Sequence, residues 1–379
     1  MKKTTLFIGI IVLIMSGCRE REQLDAYIMV DVSEGYLKKE LILQDFMDVE
    51  YVMLETNDEF LCSGVVKAIG REFIFVTNGS TGDILIFDRN GNAIRKINRK
   101  GRGAGEYLQA IGIIIDEDDG EFFVNDGMRM MSVYDLQGNY KRNFPTKIGF
   151  VGFGYNFDSE SLICSDGSFY AGSPGKIPLF SIISKQDGSV VKEIDIPFEQ
   201  KKTALIDIID NNGNFRGVSE MGDFPIIPYH DSWILTEPSS DTVFRYFPDH
   251  SMTPFMVRTP SVQSMNPEVF LFPSILTDRY YFMRTQKKEI SGKVVPLVYD
   301  KQEKTMYEYS VFNDDFTPKR PVYMAQKTVS SEIAFWQSLG ADVLVEAFKK
   351  GELKGKLKEV AAELEEESNP VIMLVKYRK

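Results

Sequence analysis

The sequence predicts an all-β fold, a six-bladed β-propeller, with a small C-terminal helical insertion before its closing strand. Two observations carry the ring and a third the insertion. First, "FIFVTNGSTGDILIFDRNGNAIRKI" (Phe73 to Ile97) can be laid over "FFVNDGMRMMSVYDLQGNYKRNF" (Phe122 to Phe144). Phe87-Asp88 then falls on Tyr134-Asp135 and Gly91-Asn92 on Gly138-Asn139, and Tyr299-Asp300 repeats the aromatic-Asp pair further on. Second, runs such as "ILIFD" and "MSVYD" have the alternation and aromatic content of strands, each followed by a Gly-containing hairpin turn. A period of roughly 40–50 residues carrying several short strands marks a propeller blade. Third, residues 331–368 break the pattern with a stretch rich in Ala, Leu, Glu and Lys.

Taken in order, the chain opens "MKKTTLFIGIIVLIMSGCRE". Two lysines precede an apolar run from Leu6 to Met15, too short to span a hydrocarbon core, and small residues follow. This is the architecture of a secretory signal, assigned to 1–17. Ser16-Gly17-Cys18 resembles the bacterial lipobox, with Met15 where Leu is commoner, which implies lipidation at Cys18. Acyl chains contribute about 0.8 kcal/mol per buried CH₂, so the lipid-bearing chain would be held on a membrane. Arg19 in place of Asp favours the outer membrane, by resemblance to sorting rules. Residues 18–44 read as a lipidated N-terminus and tether, and 45–379 as the propeller.

Five blades are expected at about 65–97, 108–144, 155–197, 225–258 and 270–312. The sixth is composite: "NPVIMLVKYRK" from Asn369 pairs with "DVEYVMLET" (Asp48 to Thr56), joining the two ends of the chain. Each blade is a small sheet that buries its faces against its neighbours, and ring closure protects the edges. Within 331–368, Ala341 to Phe348 and Leu353 to Leu364 have helical periodicity, with Val343, Leu344 and Ala347 on one face. Leu353, Leu357, Val360 and Leu364 form a second stripe.

With 43% hydrophobic residues the chain can build a large core, and a net charge of −11 with no basic domain argues against nucleic acid. Its three glycines at alternate positions, in "GRGAGEY" (Gly101 to Tyr107), are not a phosphate cradle. That chemistry needs a following helix, and here an Ile-rich strand follows. The loop instead crosses from one blade to the next, with Glu106 and Tyr107 at the start of an inner strand near the channel mouth. Arg102, Glu106 and Tyr107 are therefore candidate ligand contacts. The alternative is that Glu106 bonds neighbouring amides and Tyr107 packs between blades.

No metal site or cofactor is expected: the two histidines, His230 and His250, lack ligand spacing, and "DEDDGE" (Asp116 to Glu121) reads as an acidic turn. Cys62 and Cys164 leave pairing open.

The loop "GRGAGEY", the segment "IIDEDDGEFFVNDGMRMMSVYDLQGNYKRNF" and the closing "ESNPVIMLVKYRK" resemble the six-bladed β-propeller lipoproteins of Bacteroidetes, relatives of NHL-type propellers. The resemblance implies the fold and an envelope location. It implies no catalytic set, since propellers host binders, scaffolds and enzymes alike. The expected function is a lipid-anchored binding or protein-interaction module of the cell envelope. Its partners are the membrane through Cys18 and a glycan or an envelope protein. The alternative is a carbohydrate-active enzyme using acidic residues on one propeller face.

Overall fold

The computed structural model describes residues 27–378 apart from 64, 80, 128–129, 147–150, 167–178, 211, 222–223 and 291. The signal segment and Cys18 lie outside the described residues. The described chain begins with β1 (Ile28–Asp31), β2 (Lys38–Ile42), a short α1 (Leu43–Phe46) and β3 (Met47–Met53). Blade one is β4 (Val65–Ile69), β5 (Phe73–Asn78), β6 (Asp83–Asp88) and β7 (Ala93–Asn98). Blade two is β8 (Gly112–Asp116), β9 (Glu121–Asn125), β10 (Met130–Asp135) and β11 (Tyr140–Pro145). Blade three is β12 (Val151–Asn156), β13 (Ser161–Asp166), β14 (Phe180–Ser184) and β15 (Val190–Ile194). A separate hairpin follows, β16 (Leu205–Ile209) with β17 (Phe215–Glu220).

Blade four is β18 (Ile226–Tyr229), β19 (Ser232–Leu235), β20 (Thr242–Tyr246) and β21 (Met252–Thr259). Blade five is β22 (Val269–Leu276), β23 (Tyr280–Lys287), β24 (Val294–Asp300) and β25 (Thr305–Asn313), and β26 (Arg320–Val322) pairs with the end of β25. Blade six is β27 (Ile333–Leu339), then, after α2 (Ala341–Lys349) and α3 (Gly355–Ala361), β28 (Val371–Tyr377), with β3 from the other end of the chain on its outer side. Met53 faces Val371 and Met47 faces Tyr377 in an antiparallel register, so the composite sixth blade forms as expected.

The six blades enclose one apolar cluster at each junction. Phe75, Ile84 and Ile86 meet Phe122, Val124 and Tyr134 between blades one and two. Phe123 and Val133, one residue out of phase, turn the other way to Leu162, Cys164 and Ile183 of blade three. The remaining junctions close the circle through blades three and four, four and five, five and six, and six and one. Alternate side chains of a strand point to opposite faces, so a strand with both faces buried reads as a continuous apolar run.

Two expected boundaries are corrected. The segment 18–44 is more than a tether, since β1 runs parallel beside β21 and β2 parallel beside β25, adding a fifth strand to blades four and five. Val30 and Leu41 are buried there, covering sheet edges that would otherwise be open. The segment 331–368 is not helical throughout, because Ile333–Leu339 pairs with β28 and buries Ile333, Ala334 and Phe335. Pairing with β28 decides that stretch over its helix-prone context. Helix α2 buries Leu344, Val345 and Ala347 in the junction of blades five and six, while Val343 is exposed rather than on the apolar face. Leu353, Leu357 and Leu364 join the same junction.

Blade six has three strands, where blades one to three have four and blades four and five have four extended by β1 and β2. In blades one to five the first strand lies innermost and runs toward one end of the channel, where it turns at 70–72, 117–120, 157–160, 230–231 or 277–279. β27 instead starts at that end and runs away from it, so by direction it is a second strand. The innermost place is taken by residues 323–332, which form no strand. Tyr155 of β12, from the far side of the ring, donates its hydroxyl to the Thr328 carbonyl at 2.8 Å.

Candidate functional site

A cavity of about 670 Å³ opens at the channel end where the inner strands finish. It lies beneath the hairpins of blades one to four and against 327–333 of the irregular segment. A second, of about 640 Å³, adjoins it between blades four, five and six, and His230, Ser331 and Glu332 line both. His230 holds a left-handed backbone (φ 51) at the tip of its hairpin, and its Nε2 lies 3.8 Å from Asp278 Oδ1 of blade five.

The three carboxylates that blade two brings to this mouth are engaged. Asp116 is buried against the equally buried Lys185 at 2.5 Å, and Lys185 also donates to the Asp158 carbonyl at 2.7 Å. Glu117 accepts from the backbone amides of Arg71 at 2.7 Å and Glu72 at 2.9 Å, while the Arg71 guanidinium reaches Asp118 at 2.6 Å. These contacts tie the hairpin of blade one to that of blade two.

Two lysines in the cavity have no such partner among the described residues. Lys67, on β4, donates to the Ile111 carbonyl at 3.1 Å, and burial lowers its ammonium below the usual range. Lys327 lies 5.6 Å from the ring centre of Phe153 and 5.3 Å from that of Tyr155. Burial first, and the Lys67 charge second, bring Lys327 down to about 8. Ammonium over an aromatic face is stabilised by roughly 0.5–2 kcal/mol, short of what a desolvated cation gives up. Burial pushes the Tyr155 hydroxyl well above its ordinary range, so it stays a donor.

Aromatic faces complete the walls. Trp233 stacks on Phe157 at 4.7 Å, Phe157 stacks on His250 at 5.6 Å, and Trp336 of β27 stands on the opposite wall. An amphipathic ligand would meet ring faces at the sides and two half-buried cations in the channel.

The sequence-based candidates lie elsewhere. The loop carrying them follows β7 at the opposite end of the ring, before β8 begins at Gly112. Tyr107 is 1% exposed, and its hydroxyl donates to the Gly82 carbonyl at 2.8 Å. Glu106 curls back to accept from the Gly103 amide at 2.6 Å, where a Cβ on Gly101 would sit 2.0 Å from its Oε2. Of the three glycines only Gly105 has positive φ, at 77°. Arg102 is exposed on the same loop. The geometry favours the alternative given for Glu106 and Tyr107, a loop satisfied by its own contacts.

Sequence reasoning missed Lys67, Lys327, Tyr155 and Trp336. The available signal was the sixth blade itself: "YMAQKTVSSE" stands where its first strand is due and lacks strand alternation. Cys62 and Cys164 are not joined to each other, and Cys164 is fully buried. Among the described residues no cluster of three or more His, Cys, Asp or Glu side chains could hold a metal, and no helix is long and apolar enough to cross a membrane.

A family model described as "Domain of unknown function (DUF4934)" matches residues 28–376. The search of curated proteins gives no match. Among solved structures, a protein of Bacteroides fragilis NCTC 9343 described as exported is 13% identical, with a TM-score of 0.60 over 93% of this chain and 100% of that one. A DUF4221 family member from Bacteroides vulgatus is 10% identical over 89% and 99%, with a TM-score of 0.46. Virginiamycin B lyase from Staphylococcus aureus is 10% identical over 88% and 100%, with a TM-score of 0.38. At 13% identity the Bacteroides fragilis likeness speaks for the fold alone, and the two looser ones carry no argument.

Proposed function

The chain belongs to the DUF4934 family, and from its cavity and its signal-like N-terminus we propose that it is a lipid-anchored binding module of the cell envelope that holds its ligand in the propeller channel. The observation that carries this reading is the replacement of one inner strand by the irregular segment 323–332. A complete inner strand would leave its side chains in the ring wall, whereas this segment places Lys327 in a roomy cavity beside aromatic faces.

The engagement of Asp116, Glu117 and Asp118 in ion pairs and amide contacts favours binding over acid–base chemistry at this mouth. The signal-like N-terminus with Ser16-Gly17-Cys18 supports export and anchoring. β1 runs from Ile28 opposite Met256 to Asp31 opposite Thr259, away from the mouth, so Ile28 lies at the mouth end of its strand.

Purified protein would be screened by thermal shift against neutral and acidic oligosaccharides. A ligand at a hundred times its dissociation constant adds about 2.7 kcal/mol, enough to move the midpoint by a few degrees. A shift that disappears when the wall is altered by Trp336→Ala supports the channel site. A shift unaffected by that change places binding elsewhere, and no shift with any sugar counts against a glycan-binding module.

A further inference from the structure

We propose that the channel cavity selects an anionic sugar, its charged group held between Lys67 and Lys327 and its ring laid against the aromatic wall. This rests on the reading of the cavity as the binding site and names the chemistry of its ligand.

Two ammonium groups share one cavity and act on each other. Elsewhere in the ring the fold neutralises comparable lysines: Lys185 sits on Asp116, Lys202 on Glu268 at 3.2 Å, and Lys39 on Asp300 at 2.8 Å. Lys67 and Lys327 meet a carbonyl and two ring faces instead. Holding two half-buried cations in one cavity costs stability, and an incoming anion relieves both the partial desolvation and the repulsion. The pair is also preorganised, since Lys67 is fixed on β4 and Lys327 on a segment pinned by the bond from Tyr155 to the Thr328 carbonyl. The ring faces of Tyr155 and Trp336 border the same space, and a pyranose presents apolar C–H faces that pack on such rings. A cavity of about 670 Å³ falls in the range of small-ligand sites.

The test is isothermal calorimetry on the purified protein with oligogalacturonate, with a neutral galacto-oligosaccharide of the same length, and with inorganic phosphate. The expected result is at least tenfold tighter binding of the uronate than of either control. Lys327→Met and Lys67→Met should each weaken uronate binding at least tenfold, while Lys327→Arg should keep it within a few-fold. A second readout separates a functional lysine from a structural one. Without ligand, Lys327→Met should melt at or above the wild-type temperature, because a desolvated cation has been removed.

Equal affinity for the neutral sugar would overturn the anionic selectivity and leave the channel as a binding site. Equal affinity for phosphate would overturn the sugar part, and a lower melting temperature of Lys327→Met would make that lysine structural. No binding of any probe would overturn both this inference and the glycan-binding reading it rests on.

Discussion

Lys327 titrates at about 8 in the free protein because burial and the Lys67 charge both oppose its protonated form, against an ordinary value of 10.5. The sign follows from linkage. Below about 8 both folded and unfolded chains hold the proton, and the full desolvation penalty weighs on the fold. Between 8 and 10.5 the unfolded chain keeps a proton that the folded one has shed, so this group's contribution to stability rises with pH. The melting-temperature advantage of Lys327→Met should therefore be largest at pH 7 and narrow by pH 10, and uronate affinity should fall once pH passes 8; melts and calorimetry at stepped pH check both. Tyr107 gives a contrasting case: Tyr107→Phe should cost about 1 kcal/mol for its lost bond to Gly82 and leave ligand binding unchanged, as thermal melts and calorimetry would show. From sequence, the conspicuous glycines around Tyr107 invite a functional reading, yet Gly101 makes room for the Glu106 carboxylate and Gly105 for the Tyr140 ring. Lys327 drew none, because its depth follows from the missing strand around it and no local pattern encodes that.

The repeated aromatic-Asp pair shows its purpose at the level of the hairpin. Asp88 accepts from the amides of Asn90 at 2.8 Å and Asn92 at 2.9 Å, and Asp135 accepts from Asn139 in the same way at 2.8 Å. The aromatic partners Phe87 and Tyr134 are fully buried in the junctions between blades. One dipeptide thus anchors a strand inward and folds the next turn, which is why it recurs and why the blades were legible. Its glycine is constrained as well. Gly91 has φ of 90°, and a Cβ there would lie 2.0 Å from the Met53 carbonyl at the end of β3. Gly91→Ala should therefore cost about 2–4 kcal/mol, combining backbone strain with displacement of the closing strand. Gly120→Ala is the control: its φ is 66° but nothing stands within 4 Å, so strain of roughly 1–2 kcal/mol is the whole cost. Denaturant melts of the two variants would separate the terms, and equal losses would remove the role assigned to Met53. The strand β27 is less legible than these hairpins, since "EIAFWQS" has no Gly-Asn turn beside it and only Gly340 separates the strand from α2.

Closing the ring brings together residues more than three hundred positions apart, and Asn369 is the point at which both ends are fastened. It is 2% exposed, and its side-chain amide donates to the carbonyls of Glu55 and Phe60, each at 2.7 Å. Its Oδ1 accepts from the Cys62 amide at 2.9 Å, and its own amide donates to Thr56 Oγ1 at 2.8 Å. The three side-chain bonds hold the chain leaving β3 against the chain entering β28. Sequence patterning placed both strands in one blade but held no trace of this contact, because a lone Asn between Ser368 and Pro370 looks like any turn residue. Asn369→Ala would leave two carbonyls and an amide buried without partners, at about 1–3 kcal/mol for each group that water cannot reach. Partial rehydration lowers the sum, so a loss of about 3 kcal/mol is expected, a drop of a few degrees in a chain this long. Location distinguishes this from an ordinary core defect. Blades two, three and four keep all their junctions, so hydrogen exchange should accelerate first in β3 and β28 while β9 and β13 stay protected. Uniform acceleration around the ring would mean that closure is shared by every junction and that Asn369 is one bond donor among many. Selective opening of blade six would also loosen the segment 323–332 beside it, so the same variant should weaken uronate binding without touching either lysine.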